Sequence, residues 1–319
     1  MKILKYLIAF LLTILMLYIT RTNSRGQSEF LTYTENNYTF EYNTVPKGTE
    51  LETSQIPVVI KGDLSAGETV LFRHNKDNAI PKGNLDQYLV DTMNFSPEKN
   101  QYTIEMPAGT RGGRFYYYFE IADSTGAPLA TMFEKEKEPF AFKFIGIVPI
   151  YVLVGHLLFI FATVYFIALA TTDSFPLITG KSTDVKPVAK HITWAVILCF
   201  IGGYPIGWAM NWFAFNGFWE GIPFGTDATD NKTQLLFVYI VFAMLAMWGS
   251  LRGNPKKDLY SPKTSGWLGI ISFLVMLAIY LIPHSIQFTK KLTYGVCYSY
   301  TILFIIIYLI GLTRRKKSV

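Results

Sequence analysis

The chain has 319 residues, of which 50% are apolar and only 16% charged, with a formal net charge of +6. A soluble domain carries about 25% charged residues, so a single soluble globular domain is excluded. The charge is also unevenly placed: residues 21–146 hold 13 Lys and Arg against 17 Asp and Glu, whereas residues 147–319 hold 14 against 6. In the second part the basic residues sit in short clusters between long uncharged runs. That is the pattern of membrane orientation rather than of a nucleic-acid footprint, and no nucleic-acid partner is expected.

Lys2 and Lys5 precede an apolar run over residues 6–19, closed by Arg21 and a polar stretch. This is the layout of a signal peptide or an uncleaved signal anchor, assigned to residues 1–26, and Ser24-Arg25-Gly26 offers small residues for cleavage. Either form delivers the next segment outside the cytoplasm. Neither Cys199 nor Cys297 lies in that polar segment, so no disulfide framework supports it, and both thiols read as buried and structural.

Residues 27–145 read as an extracytoplasmic β domain. Runs rich in Val, Ile, Tyr, Phe and Thr at 57–61, 69–74, 101–106, 114–122 and 139–144 are punctuated by Gly, Pro, Asn and Asp, a spacing that suits an antiparallel sandwich. Within them, Tyr102-Thr-Ile-Glu-Met-Pro-Ala is followed by Arg111-Gly-Gly-Arg-Phe-Tyr-Tyr-Tyr-Phe-Glu-Ile-Ala-Asp-Ser-Thr-Gly126. A strand ending near a Pro, then a long aromatic strand and an Asp-Ser-x-Gly turn, resembles the late strands of immunoglobulin-like or fibronectin-type extracellular modules. The resemblance covers residues 55–145 and implies a β-sandwich. It implies little about activity, because that fold hosts many roles.

Five further apolar segments follow at 147–171, 192–213, 234–250, 267–283 and 294–313, each near the roughly 20 residues a spanning helix needs. Basic residues near their ends fall in an alternating pattern. With the β domain outside, thirteen Lys and Arg lie on the cytoplasmic side, and Lys232, Lys290 and Lys291 lie outside. The positive-inside rule then places the C-terminus in the cytoplasm of a multi-pass plasma-membrane protein. The expected fold class is an α+β membrane protein, with the sandwich followed by an all-α five-helix transmembrane domain over residues 146–319.

Few residues in the apolar part carry chemistry. His156 lies inside the first predicted span, where an ionisable side chain is a functional candidate by default. With His284 as a second ligand it could hold a b-type haem. The alternative is a hydrogen bond to a neighbouring helix. In the loop between the second and third spans, Glu220, Asp227 and Asp230 supply oxygen ligands of the kind hard cations prefer, although Asp230 could equally cap a helix. Trp219 in that loop, with Tyr116 and Tyr118 on one face of the aromatic strand, forms a candidate partner-binding set. Gly203 and Gly207 form a small-residue face for close helix packing, and Pro205 predicts a kink. The chain has no Walker loop, no Gly-x-Ser-x-Gly elbow, no His-Glu-x-x-His and no Cys-x-x-Cys. The expected function is a membrane component that binds, senses or assembles other membrane or extracytoplasmic proteins. A haem-binding redox protein is the first alternative, and a transporter the weaker second.

Overall fold

The computed structural model describes residues 2–24, 28–75, 80–282 and 288–317, and the chain divides into two compact units. The β unit comprises 26–148 together with the short segment Trp212–Asn216, and the helical unit holds the remainder.

The strands of the β unit are β1 (Phe30–Glu35), β2 (Tyr38–Asn43), β3 (Lys47–Thr49), β4 (Ser54–Lys61), β5 (Thr69–His74), β6 (Leu89–Thr92), β7 (Asn94–Ser96), β8 (Gln101–Met106), β9 (Arg114–Ala122), β10 (Pro128–Met132) and β11 (Phe140–Ile145). They form two sheets among the described residues. One is antiparallel with the order β1-β2-β4-β8-β7. The other is mixed with the order β3-β11-β9-β5-β6, and β10 and β11 lie end to end along the same strand, β9. Alternation on β9 explains the packing: Phe115, Tyr117, Phe119 and Ile121 point inward and are at most 1% exposed. They meet Phe40, Tyr42, Ile56 and Val58 of the first sheet in one core, an arrangement compatible with a β-sandwich. Within it Tyr42 packs edge-on to Phe119 and Phe140 at centroid distances of 4.9 and 5.1 Å, and the Tyr42 and Tyr117 hydroxyls hydrogen-bond each other.

The helices are α1 (Lys2–Ser24), α2 (Ile150–Ile178), α3 (Lys186–Gly203), α4 (Pro205–Phe215), α5 (Ala228–Ala246), the single turn α6 (Trp248–Leu251), α7 (Pro262–Leu281) and α8 (Lys290–Lys317). Among the described residues, five stretches are long and apolar enough to cross a membrane: Ile3–Thr20, Ile150–Ile178, Lys186–Phe215, Pro262–Leu281 and Lys290–Arg315. Their composition suggests contact with a lipid bilayer. The set differs from the expectation, because it includes the N-terminal helix and omits the segment predicted at 234–250. That segment takes in most of α5, Met247 and most of α6, and the first turns of α5 carry Asp230, Asn231 and Lys232, all buried against protein. These residues lower the mean hydropathy of a helix only 19 residues long.

Helix boundaries also exceed the apolar runs. The first was predicted to end at residue 171, but α2 continues to Ile178 and brings Asp173 inside the helix. The kink expected from Pro205 occurs where α3 gives way to α4 at Tyr204 (φ −106°, ψ −81°), since proline has no N–H to continue the ladder. Close helix approach falls on Gly202 and Gly203 rather than Gly207. A methyl group at Gly202 would strike Phe159 and Ile160 of α2, and one at Gly203 would strike Thr233 of α5. The helix α1 is packed into this unit: Ala9 is fully buried with Ala168 and Leu169 of α2, and Met16 enters the main helical core.

Candidate functional site

The most heavily bonded polar group of the helical unit forms around the start of α5. Asp227 is its N-cap, and its carboxylate accepts from the backbone N–H groups of Thr229 and Asp230 at 2.8 and 3.0 Å. The capping role expected of Asp230 thus falls to Asp227. Asp230, 8% exposed, instead accepts from the backbone N–H of Glu220 at 2.6 Å and from Asn211 Nδ2 at 3.2 Å. Asn231 accepts from the N–H of Ile222 at 2.9 Å and donates to the Asp227 carbonyl at 2.7 Å. Lys232 reaches the C-cap of α7, where its Nζ donates to the Ile282 carbonyl at 2.8 Å. A cation at a helix C-terminus meets exposed carbonyls and the negative end of the dipole.

Both Asp230 and Lys232 precede the apolar stretch of α5, and burial dominates the electrostatics of each. It pushes the Asp230 carboxyl up to about 6, aided by the Asp227 and Glu220 charges and opposed by the Glu220 and Asn211 hydrogen bonds. It pushes the Lys232 ammonium down to about 8, against the pull of Asp227. In this arrangement the Asp227 and Asp230 carboxylates are committed to backbone and amide donors. Among the described residues no three His, Cys, Asp or Glu side chains come together to hold a metal ion. Trp219 stacks on Tyr204 at 5.4 Å and donates its indole N–H to the Ile222 carbonyl at 3.1 Å, so it is turned into the loop.

His156 donates from Nδ1 to the Gly202 carbonyl at 2.9 Å, just before the α3–α4 break. This is the helix-to-helix hydrogen bond weighed above. His284, the expected second ligand, lies outside the described residues.

A second charged group was missed because the predicted span stopped short of it. Lys5 of α1 donates to both carboxylate oxygens of Asp173 at 2.8 and 3.1 Å, and His191 Nδ1 of α3 lies 3.1 Å from Asp173 Oδ2. The apolar segments therefore do carry one ion-paired cluster. The signal that could have found it is Asp173 itself, two residues beyond the predicted end.

In the β unit, Tyr116 and Tyr118 lie on the outer face of β9, but only Tyr116 is accessible. Tyr118 is 6% exposed, covered by Phe133 at 4.7 Å and Tyr88 at 5.8 Å. Beside it, Arg73 pairs with the buried Glu120 at 2.6 Å. One of its exposed edges joins the two sheets. The chain crosses from β6, the last strand of one sheet, to β7, the last strand of the other, through the buried Met93. On this crossing Leu89 and Val90 are each 46% exposed and Phe95 is 50% exposed.

The division between the units falls within α4: Asn211 groups with the helical unit and bonds Asp230, whereas Trp212–Asn216 group with the β unit. There, Arg111 lies over the Trp212 ring at 5.2 Å, Lys143 lies over Phe215 at 3.7 Å, and the N–H of Gly146 donates to the Ala214 carbonyl at 2.9 Å.

No family model matches the chain, and no curated protein is significantly similar to it.

Proposed function

We propose that the chain is a membrane-anchored binding component, whose β unit meets an extracytoplasmic protein partner while the apolar helices hold it in the plasma membrane. The β unit is read as a sandwich of the immunoglobulin-like or fibronectin type, and, with α5 taken as a sixth crossing beside the five apolar stretches, the distribution of Lys and Arg supports a cytoplasmic C-terminus. The observation that carries the reading is the β6–β7 edge. Terminal strands present unpaired backbone groups, and monomeric proteins usually blunt such strands with charge. Here β6 carries a single charge, Asp91, beside the exposed Leu89 and Val90, and β7 exposes Phe95, a pattern suited to addition of a partner strand. A photo-reactive residue at Val90 in intact cells is expected to give one discrete protein adduct, and one at Thr32 on the opposite edge none. Equal labelling at both positions, or no adduct from Val90, sinks the proposal.

The redox alternative rests on the position of His156 inside an apolar helix and is separated by colour. The binding reading predicts no Soret band in protein purified from haem-replete cells, oxidised or reduced. A band that sharpens on reduction and vanishes in His156→Ala would replace the binding reading with a membrane cytochrome.

A further inference from the structure

From Asn231 to Val319 the chain contains one acidic residue, Asp258. It is buried at 9% exposure, and both of its oxygens are spent on Ser250: one accepts from the backbone N–H at 2.7 Å and the other from the hydroxyl. The turn around it is tight. Asn254 N–H donates to the Gly249 carbonyl at 2.8 Å, and a Cβ on Gly249 would collide with the backbone of Asn254, Lys257 and Asp258. This fold turns Arg252, Lys256 and Lys257 outward, and Lys263 is exposed on the first turn of α7. The end of α8 is fastened to the same turn: Arg315 donates to the Lys257 carbonyl at 2.7 Å, and the Tyr260 hydroxyl donates to the Ile307 carbonyl at 3.2 Å.

We propose that this end of the helical unit binds the phosphodiester headgroup of an anionic phospholipid. Three features favour a lipid. The cations are held on a braced turn, so little ordering entropy is lost on binding. The one carboxylate of the segment is unavailable to Arg252, Lys256, Lys257 and Lys263, so a counter-anion must come from outside the segment. The site also lies where two apolar helices end. Trp248, under the Arg252 guanidinium at 5.9 Å, and Trp267, one turn beyond Lys263, are 42% and 48% exposed, as aromatic anchors at a headgroup layer are. Leu309 and Ile310 of α8 are 53% and 44% exposed and offer a surface for the acyl chains.

This inference rests on the membrane reading, and the test separates the two. Full-length protein extracted in mild detergent is mixed with equimolar phosphatidylglycerol and phosphatidylcholine, and retained lipid is counted by native mass spectrometry. The wild type is expected to keep phosphatidylglycerol at least tenfold over phosphatidylcholine. Each cation removed should cost about fivefold in affinity, so the K256Q/K257Q/K263Q variant should lose the preference. The K256R/K257R/K263R variant should retain it and controls for folding. A wild type that holds both lipids equally, or a neutral variant that keeps the preference, overturns the lipid site alone. Recovery of the protein from the soluble fraction without detergent overturns the membrane reading and the lipid site with it.

Discussion

Replacing Lys5 with methionine is expected to destabilise the helical unit by about 3 kcal/mol, read as a fall in the thermal midpoint of detergent-solubilised protein. The substitution keeps the apolar stem and removes the charge, leaving Asp173 with His191 as its partner at 3.1 Å. A carboxylate 14% exposed between helices is poorly solvated, so the loss falls mainly on the group left behind. The double variant Lys5→Met/Asp173→Leu should recover most of the stability, because it leaves no carboxylate to solvate. The cycle should therefore show a coupling of about 1–3 kcal/mol. Additive single effects, or a Lys5→Met protein as stable as the wild type, would show that the pair contributes nothing. The pair also ties α1 to α2 at one end, while Ala9 and Met16 pack along its length.

The second large effect concerns pH. The folded-state pKa of Asp230, about 6, lies above the ordinary carboxylate value of 3.8. The folded chain therefore binds a proton more readily than the unfolded chain between those values. By linkage, the stability contributed by Asp230 rises as pH falls from 7 to 4 and is lost again as pH rises through 6. The full excursion amounts to roughly 3 kcal/mol. Asp230→Asn keeps the shape and an acceptor for the Glu220 N–H but cannot titrate. Subtracting its stability from that of the wild type at each pH isolates this one group from the other carboxylates. The wild type should gain on the variant as the buffer is acidified. A gain by the variant instead would mean that the hydrogen bonds from Glu220 and Asn211 outweigh burial and hold the carboxylate charged.

Much of the β unit was legible because its core strands alternate. The predicted runs at 69–74, 101–106 and 114–122 coincide with β5, β8 and β9. In each, bulky inward residues carry the signal that periodicity reads. Strands β6 and β7 gave no such signal, since they lie at the sheet edges with mostly exposed side chains, and the three residues of β3 are too few for a pattern. The apolar helices were legible for the same reason and misjudged at their ends. Hydropathy stops at the first charge, whereas the helix goes on if the charge finds a partner. Asp173 and the Asp230–Lys232 turn were both cut off in this way.

The candidate sites were harder to read, because their partners are distant in sequence. Lys5 and Asp173 are separated by 168 positions, and Asn211 and Asp230 by 19. Spacing alone could nominate Glu220, Asp227 and Asp230 as ligands. It could not show that one oxygen of Asp227 accepts from two backbone N–H groups, or that Asp230 accepts from the Glu220 N–H and the Asn211 amide. Nor could alternation show that Tyr118, although outward-facing, is roofed over by Tyr88 and Phe133.

The placement of β11 bears on how the β unit withstands pulling. This strand leads through Gly146 directly towards α2, and it is bonded on both sides, antiparallel to β9 and parallel to β3. A pull on Gly146 along the axis of the strand acts across its ladder of hydrogen bonds. Under such a pull the bonds are loaded together in shear instead of being peeled one by one, so β11 is built to resist extraction.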